Sequence, residues 1–339
     1  MTLPRPLEQI SRERLIEQVT KLAQGQSVDF DLLAYQVYQY QYKHCEVYRS
    51  WAQSFDKTVE SVADIPKLHI SAWKNHQVIS GAYEWEQVYT SSGTTGSSVS
   101  KHHVRDVNYY LQNSKLGFEA AYGPISNYCV LGLLPSYLER QGSSLVAMVE
   151  SFIKLSKYPN SGTYLYDHAE LHKILTENSA DSIPTLLIGV SFGLLDFVEQ
   201  YQLTFPELIV METGGMKGRR TEMSKVAMHT ELQEGFGVPM IHSEYGMTEL
   251  LSQAYSSGNG LFFPSATLKV LTTEINDPLA LAPYGKSGII NIIDLANIDS
   301  CSFICTEDLG IRHEDGSFEI IGRLDNSELR GCSLMVSDL

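Results

Sequence analysis

The sequence predicts an α/β protein with large, mainly parallel sheets flanked by helices and a smaller β-rich subdomain. Two observations support this class. Between about residues 128 and 249, short apolar runs such as "YCVLGLL" (128–134) and "TLLIGVS" (185–191) alternate with helix-length segments. That rhythm is typical of a parallel sheet covered on both faces. After about residue 260, short strands separated by turns follow one another, beginning with "LKVLTTEI" and "GIINIIDL".

The composition is that of an ordinary globular protein and argues against several classes of function. The 339 residues are 43% hydrophobic and 19% charged, with a net charge of −15. A chain this acidic, without a run of Lys or Arg, is not expected to bind nucleic acid or an anionic membrane. No apolar run is long enough for a membrane span, and the amino terminus lacks a secretory signal. The five scattered cysteines indicate free thiols in a reducing cytoplasm.

Residues 1–86 are expected to form a helical region packed on the core. Apolar residues at helical spacing predict one helix over 7–24 and a second, aromatic-rich helix over 27–55. The tyrosines of the second helix either line an apolar pocket or pack as an ordinary helix surface.

Residues 87–260 are expected to form the α/β core, residues 261–328 the β-rich subdomain, and residues 329–339 a mobile tail. The predicted strands of the core are 128–134, 185–191, 207–215 and 239–249, and the predicted helices are 142–155, 169–178, 192–201 and 220–235. Cys301 and Cys305 lie in an apparent strand without a second Cys/His pair at metal-ligand spacing, so they are interpreted as core residues.

A loop of small residues, "TSSGTTGSSV" (90–99), follows a short strand at 87–89 and precedes a helix expected near Arg105. Gly93 and Gly96 permit positive φ and close backbone approach, and the hydroxyls of Thr94 and Thr95 can donate to phosphate oxygens. The spacing of a Walker A loop is absent. These residues alone leave two alternatives open, a phosphate loop and a flexible linker.

Two further polar segments come at the ends of predicted strands, where open α/β sheets bind their ligands. In "ETGG" the paired Gly214 and Gly215 either let a flat base lie against the backbone or form a plain strand-to-helix turn. In "HSEYGMTE" (242–249), Tyr245 offers a ring for stacking and Gly246 a sharp turn. Thr248 can meet phosphate and Glu249 can hold Mg²⁺, unless both simply cap a helix.

The fourth polar segment lies near the carboxyl end, in "TEDLG" (306–310) and "GRLDNSELRG" (322–331). Asp308 could accept two hydrogen bonds from a ribose diol, and Arg323 could reach the ribose or a phosphate. Each is equally well interpreted as a solvated surface charge.

The order of these motifs over residues 88–332 resembles the adenylate-forming superfamily of acyl-CoA ligases and peptide-synthetase adenylation domains. "TSSGTTG" is similar to its phosphate loop, "YGMTE" to its adenine and magnesium motif, "TEDLG" to its ribose-aspartate segment, and "GRLDNSELRG" to its hinge. The fold that the resemblance implies is that of the amino-terminal domain of these enzymes. It implies ATP and Mg²⁺ as cofactors, with Glu249 as the metal ligand. The residues expected at the nucleotide are Ser92, Gly93, Thr94, Thr95, Gly96, Gly214, Gly215, Tyr245, Gly246, Thr248, Asp308 and Arg323.

The segments "LLPSYLERQGSSLV" (133–146) and "RGCSLMVSDL" (330–339) narrow the resemblance to acyl-protein synthetases of the LuxE type. The loop lysine of the wider superfamily follows two residues after TTG, whereas Lys101 lies five residues after Gly96. The carboxyl-terminal cap domain is expected to be absent, and Cys332 matches the nucleophilic cysteine of the LuxE type.

The resemblance implies that a fatty acid is activated as an acyl-adenylate and transferred to the thiol of Cys332, with Glu249, Thr248 and Lys101 also in catalytic roles. An acyl reductase or an acyl carrier is the partner it suggests. Two alternatives remain at this point. The chain could pass the acyl group directly to a carrier protein or coenzyme A, or it could be a non-catalytic scaffold that only binds nucleotide.

Overall fold

The computed structural model describes residues 10–55, 58–91, 99–134, 142–214 and 223–324. These residues divide into two compact units. The first unit contains the described residues of Met1–Gly117, Met247–Ser252 and Phe263–Leu339, and the second those of Phe118–Gly246 and Gln253–Phe262. The predicted α/β class is confirmed, because the second unit contains a mainly parallel sheet with helices on both faces and the first unit contains antiparallel strands. The segment boundaries drawn from the sequence stay a prediction.

The elements are numbered in chain order. The helices are α1 (Arg12–Ala23), α2 (Phe30–His44), α3 (Glu46–Gln53), α4 (Ala72–Asn75), α5 (Val107–Tyr122), α6 (Ser144–Leu155), α7 (His168–Ala180), α8 (Ser191–Val198) and α9 (Lys225–Phe236). The strands are β1 (Leu68–His69), β2 (Gln87–Thr90), β3 (Lys101–Val104), β4 (Cys129–Leu133), β5 (Gly162–Thr163), β6 (Thr185–Val190), β7 (Ile209–Thr213), β8 (His242–Tyr245), β9 (Ala254–Ser256), β10 (Leu261–Pro264), β11 (Leu268–Thr273), β12 (Ser287–Asp294), β13 (Phe303–Arg312) and β14 (Phe318–Arg323). Within the described ranges, none of the helices has both the length and the apolarity to cross a bilayer.

The aromatic segment predicted as one helix over 27–55 forms two helices, α2 and α3. Cys45 separates them in an extended conformation, with φ −104° and ψ 107°. Its N–H still donates to the Gln41 carbonyl at 2.8 Å, so α2 is completed before the chain turns. The rings of Tyr38 and Tyr48 lie 6.2 Å and 5.8 Å from the ring of Phe303. These contacts favour the packed-surface interpretation of the aromatic residues.

The sheet of the first unit is largely antiparallel, as the short carboxyl-terminal strands predicted. Strands β11, β12, β13 and β14 pair in that order, each antiparallel to the next. The first half of β13 also pairs with β1, in parallel, through the register Leu68↔Ile304 and His69↔Cys305. The register between β13 and β14 shifts just after Asp308, because Leu309 and Gly310 pair with Gly322 and Ile320 and leave Ile321 of β14 as an extra residue.

The sheet of the second unit has the order β9-β8-β7-β6-β4-β5, and every pair is parallel except β8 with β9. Helices α6 to α9 form the connections between its parallel strands. Alternate residues of a strand point to opposite faces. Leu131 of β4 therefore packs in the cluster that includes α7, α8 and α9, whereas the neighbouring Gly132 lies against Val149 of α6. Because helices cover both faces of this sheet, its strands appear in the sequence as continuous apolar runs.

Candidate functional site

The Ser/Thr/Gly loop joins two antiparallel strands, β2 and β3, rather than a strand and a helix. Thr90 pairs with Lys101. The Ser91 N–H donates to the Ser100 carbonyl at 3.1 Å, and the Ser100 N–H donates to Ser91 Oγ at 3.0 Å. Strand β3 was not predicted from the sequence, because "KHHV" buries a histidine where an apolar residue would have indicated the strand. Five predicted phosphate ligands lie outside the described residues: Ser92, Gly93, Thr94, Thr95 and Gly96.

The carboxyl group of Glu249 lies near the side chain of Ser100, at the base of this loop. Glu249 is 4% exposed, and burial raises the pKa of its carboxyl group. Thr248 and Glu249 form a turn, and no helix follows it before β9. The helix-cap alternative for this motif is therefore wrong.

The surroundings of Glu249 suit a magnesium ion that is shared with a substrate. Within the ranges that the structure describes, no cluster of three or more His, Cys, Asp or Glu could enclose a metal. Mg²⁺ is commonly held by one or two carboxylates together with substrate phosphates and water. A single buried carboxyl group with a raised pKa fits this mode, because a cation would favour its charged form.

His102 connects the loop hairpin to the Thr248–Glu249 turn. Its Nδ1 lies 2.8 Å from the Thr248 carbonyl oxygen and its Nε2 3.0 Å from Asn297 Oδ1. Asn297 Nδ2 donates to the Glu249 carbonyl at 2.7 Å. Burial lowers the pKa of His102 to about 4, although the two acceptors oppose that shift. His102 is therefore a positioning residue of the turn and not an exposed cation.

Asp294 holds the other end of the same turn. Its carboxylate accepts from the N–H groups of Leu251 and Ser252 at 2.7 and 3.1 Å, and from Ser252 Oγ at 2.6 Å. Asp294 is fully buried, and burial raises its pKa to about 6. Neither Asp294 nor Asn297 was predicted. The available signal was a pair of polar residues in and just after the apolar strand "IINIIDLAN".

The cations near the loop differ in their surroundings. Lys101 is exposed at the start of β3, which leaves it accessible to a ligand. Arg105 lies over the ring of Tyr83, with Cζ 5.2 Å from the centroid, and its Nη1 is 3.6 Å from Asp299 Oδ1. Its guanidinium group is therefore held by the Tyr83 ring and Asp299. Lys101 remains a predicted catalytic residue.

Asp308 and Arg323 face each other on β13 and β14. They are a register pair, and Arg323 Nε donates to Asp308 Oδ1 at 3.1 Å. The Asp308 side chain is 12% exposed and that of Arg323 is 69% exposed. The two predicted nucleotide residues of this segment therefore lie together, with the buried carboxylate oriented by an arginine on the surface.

In the second unit, strand β7 carries a buried carboxylate near its carboxyl end, Glu212. It was not predicted as a site residue. It accepts from Ser243 Oγ at 2.6 Å and from Ser191 Oγ at 3.2 Å, and Lys225 Nζ lies 3.2 Å away. Burial alone would raise the pKa of Glu212. The nearby His229 ring, the positive charge of Lys225 and the hydroxyl of Ser243 outweigh that effect and lower the pKa of Glu212.

Glu244 is a second buried carboxyl group, on the neighbouring strand. Thr213 Oγ1 donates to its Oε2 at 2.5 Å. Burial raises the pKa of Glu244 to about 7, and the charge of Glu212 adds to the shift. A Cβ atom at Gly246 would lie 2.3 Å from Glu244 Oε1, so a larger residue at this position would displace the carboxyl group of Glu244.

The remaining predicted residues of the second unit lie at the same strand ends. Gly214 has φ 69°, a left-handed conformation that favours glycine, and its carbonyl accepts from Ser191 Oγ at 2.6 Å. The Tyr245 ring lies 6.0 Å from that of Phe262, and Lys225 Nζ lies 4.7 Å above Phe262. Gly215 and Cys332 lie outside the described residues.

The fold is that of the amino-terminal domains of adenylate-forming enzymes. A 2-hydroxyisobutyryl-CoA ligase in complex with 2-HIB-AMP and CoA matches 93% of this chain and 70% of its own, with a TM-score of 0.62 and 14% identity. O-succinylbenzoate coenzyme A synthetase from Bacillus subtilis, in complex with ATP and magnesium ion, matches 70% of this chain with a TM-score of 0.50 and 15% identity. The chain spans about half the length of this synthetase and of other ATP-bound neighbours (48–49%). At such identities the likeness shows the fold.

A long-chain-fatty-acid–luciferin-component ligase from Vibrio harveyi is 24% identical over an alignment of 337 residues, which covers 88% of this chain and 85% of that protein. This relative confirms the resemblance to acyl-protein synthetases of the LuxE type. No protein-family model matches the chain.

Proposed function

We propose that the chain is an AMP-forming acid–thiol ligase, which activates a long-chain fatty acid with ATP and transfers the acyl group to Cys332. The relative from Vibrio harveyi is named for ligation of a long-chain fatty acid. The fold of the chain, shared with solved ATP and acyl-adenylate complexes, supports the same class of chemistry.

One observation in the first unit carries the proposal. His102, at the base of the Ser/Thr/Gly loop, and the Thr248–Glu249 turn are in contact although 146 positions separate His102 from Thr248. His102 Nδ1 lies 2.8 Å from the Thr248 carbonyl oxygen, and the Glu249 carboxyl group lies near the side chain of Ser100. Under the proposal, the backbone amides and hydroxyls of the loop hold a polyphosphate, and the buried carboxyl group of Glu249 holds its counter-ion.

The roles of the predicted residues follow from their chemistry. Ser92, Gly93, Thr94, Thr95, Gly96 and Thr248 are assigned to the phosphates. Gly214, Gly215, Tyr245 and Gly246 are assigned to the adenine, and Asp308 with Arg323 to the ribose. Lys101 supplies positive charge to the transition state. Mg²⁺ held by Glu249 would offset the negative charge that develops on the phosphates.

In the first step, a carboxylate oxygen of the fatty acid forms a bond to the α-phosphorus of ATP, and the bond to pyrophosphate breaks. In the second step, the thiolate of Cys332 attacks the acyl carbonyl, AMP leaves, and a thioester forms. Both steps depend mainly on positioning and electrostatic stabilisation. A free thiol has a pKa of about 8.5, so only a small fraction is ionised at neutral pH.

The acyl thioester is then delivered to a partner, an acyl reductase or an acyl carrier. Under the proposal the reaction takes place in the cytoplasm, where cysteines stay reduced. Among the described cysteines, Cys45, Cys129, Cys301 and Cys305 are not in disulfides.

The test uses the full chain with ATP, Mg²⁺ and radiolabelled fatty acids of several lengths. Label that remains on the denatured protein and is released by hydroxylamine identifies the thioester. We expect wild type to carry the label and Cys332→Ala to lose it while ATP–pyrophosphate exchange continues. Cys305→Ala is the matched control, because it removes a different accessible thiol and is expected to keep the label.

Each of the other possible results of this experiment would indicate a different function. Exchange without label on the wild-type protein would show that the acyl group passes directly to a carrier protein or coenzyme A. Absence of both exchange and label, with ATP bound, would show a nucleotide-binding scaffold. Either result would overturn the transfer to Cys332.

A further inference from the structure

Helix α2 contains a glutamine in its buried face. The buried residues of this helix are Leu33, Ala34, Val37 and Gln41, and these positions share one face of a helix. Gln41 has no exposed surface, although its amide has two donors and an acceptor to satisfy. A buried amide costs free energy unless its polar atoms are bonded, so its partners indicate its role.

The amide of Gln41 bonds the segment that connects β12 and β13, residues 294–302, which we call the 294–302 turn. Its Nε2 donates to the Asn297 and Ile298 carbonyl oxygens at 2.9 and 3.0 Å. The same nitrogen lies 3.2 Å from Ser302 Oγ, and Gln41 Oε1 accepts from the Ser302 N–H at 2.9 Å. One side chain of α2 therefore bonds both the middle and the end of this turn.

The 294–302 turn also holds the backbone of the predicted magnesium ligand. Asn297 Nδ2 donates to the Glu249 carbonyl at 2.7 Å. The Asp294 carboxylate accepts from the Ser252 N–H at 3.1 Å and from Ser252 Oγ at 2.6 Å. The position of the Glu249 backbone therefore depends on the shape of the 294–302 turn.

Two hydrogen bonds connect Gln41 with Glu249 through Asn297. Gln41 donates to the Asn297 carbonyl, and the Asn297 side chain donates to the Glu249 carbonyl. All three residues belong to the first unit and are buried. Because water cannot replace a missing partner in a buried position, loss of the Gln41 amide would leave carbonyl oxygens unpaired and allow the turn to shift.

The 294–302 turn has a second attachment, which does not involve Gln41. Arg12 of α1 donates to the two carboxylate oxygens of Asp299 at 2.5 and 2.6 Å, and Tyr83 Oη donates to the Asp299 carbonyl at 2.6 Å. These contacts remain when Gln41 is replaced. The turn is therefore expected to shift locally in such a variant and to stay attached to the helices.

We propose that Gln41 is a positioning residue of the nucleotide site, which sets the backbone of Glu249 through the 294–302 turn so that the Glu249 carboxyl group can meet Mg²⁺. This inference rests on the proposed function for the role of Glu249. Gln41 itself contacts neither the metal nor the nucleotide under the proposal. Its loss therefore weakens the use of Mg²⁺ more than it slows the reaction at saturating Mg²⁺.

Gln41→Met tests this role, because methionine has a similar length and no amide. Gln39→Met is the matched control, since Gln39 is half-buried on the same helix. The measurement is the binding of radiolabelled ATP to the full chain as the Mg²⁺ concentration is varied. We expect Gln41→Met to need about two- to tenfold more Mg²⁺ for half-maximal binding, the scale of one buried hydrogen bond, and the control to match wild type.

ATP–pyrophosphate exchange with a fatty acid present gives the second measurement. At saturating Mg²⁺, exchange by Gln41→Met should stay within about twofold of wild type, because the reacting groups themselves are unchanged. A general loss of folded protein would instead lower exchange at every Mg²⁺ concentration.

Amide hydrogen exchange tests the connection without any nucleotide. In Gln41→Met, peptides that cover residues 248–252 should exchange about tenfold faster, because the turn that bonds this segment opens more often. Peptides that cover β11 are the reference, since a global loss of stability would raise exchange there as well. A change confined to residues 248–252 is not expected from a role in overall stability.

Three results would overturn the proposal. Unchanged amide exchange over residues 248–252 would show that Gln41 does not hold this segment. Faster local exchange with an unchanged Mg²⁺ requirement would assign Gln41 to the fold alone. Absence of ATP binding by wild type would remove the nucleotide site itself. ATP binding without pyrophosphate exchange would contradict the proposed acid activation, and the Mg²⁺ requirement would still decide the role of Gln41.

Ser302→Ala replaces Gln41→Met if that variant does not fold. It removes one partner of the Gln41 amide, at 3.2 Å, and keeps the bonds to the Asn297 and Ile298 carbonyls. We expect about a twofold higher Mg²⁺ requirement, at the lower end of the scale for one hydrogen bond. An unchanged Mg²⁺ requirement in Ser302→Ala would then overturn the proposal.

Discussion

Asn297 Nδ2 donates to the backbone oxygen of Glu249 at 2.7 Å, while Asn297 Oδ1 lies 3.0 Å from His102 Nε2. One buried amide thus connects the loop hairpin to the turn that carries the predicted magnesium ligand. All three residues are buried. If one of these residues is removed, the polar groups that it bonded remain buried and cannot bond to water instead. The network is therefore sensitive to substitution.

Asn297→Ala is expected to lower the free energy of unfolding by about 1–3 kcal/mol, because it leaves the Glu249 and Cys301 carbonyls and the His102 ring without their partner. Urea denaturation measures the change. Asn108→Ala is the control, because Asn108 is exposed on α5 and alanine favours a helix. Equal loss in both variants would contradict a specific role for Asn297.

Glu249→Gln is expected to reduce the rate of ATP–pyrophosphate exchange by about a hundredfold, the usual scale for loss of one electrostatic contribution to a transition state. It should also raise the Mg²⁺ concentration needed for half-maximal exchange. Stability should not fall, since the substitution removes an ionisable group from a buried position. Glu274→Gln, an exposed substitution in the same unit, serves as the control. Unchanged Mg²⁺ dependence would remove Glu249 from the metal site.

Glu244→Gln is expected to change how stability depends on pH. Burial raises the pKa of Glu244 from 4.5 to about 7, so its contribution is fully present below pH 4.5 and is lost as the pH rises through 7. The variant should lie within about 1 kcal/mol of wild type at pH 5 and exceed it by up to about 3 kcal/mol at pH 8.

Urea denaturation at the two pH values checks this, with the exposed Glu234→Gln as control. His102 has the opposite sign, because burial lowers its pKa and its contribution is lost as the pH falls from 6.5 to about 4. The difference between variant and wild type isolates Glu244 from that effect. A difference that does not vary between pH 5 and pH 8 would be inconsistent with a raised Glu244 pKa.

Arg323→Met tests whether the ion pair between Arg323 and Asp308 stabilises the fold or contributes to nucleotide binding. The Arg323 side chain is 69% exposed, and surface ion pairs contribute about 1 kcal/mol or less, so the melting temperature should hardly change. If Arg323 contacts the nucleotide, KM for ATP rises while kcat is less affected. The exposed Lys286→Met is the matched control in the same unit. A large loss of stability with unchanged KM would assign Arg323 to folding alone.

Much of the architecture follows from patterns that a sequence carries locally. Continuous apolar runs identify β4, β6 and β7, since both faces of that sheet are covered and no polar alternation interrupts them. The errors came where a local signal was weak. Cys45 breaks α2 from α3 without a proline or glycine, and His102 occupies the buried position of β3 that an apolar residue would have marked.

The candidate residues divide in the same way. Gly214, Tyr245, Gly246, Thr248, Glu249 and Asp308 could be selected from their types and their order at strand ends. Asn297, Asp294 and Glu212 could not, because their significance depends on partners 31 to 195 positions away in the chain. No short window of sequence contains both members of such a pair.

The sequence by itself determined the α/β class, the strand–helix alternation, and the chemistry available at the strand ends, because period, composition and residue type are local properties. Only the tertiary structure decided that Glu249 is buried beside Ser100, that Asp308 is paired with Arg323, and that Gln41 bonds the turn that holds the Glu249 backbone. The physical reason is that burial and hydrogen bonding depend on which distant segments the fold brings into contact, and the same side chain changes its pKa and its role accordingly.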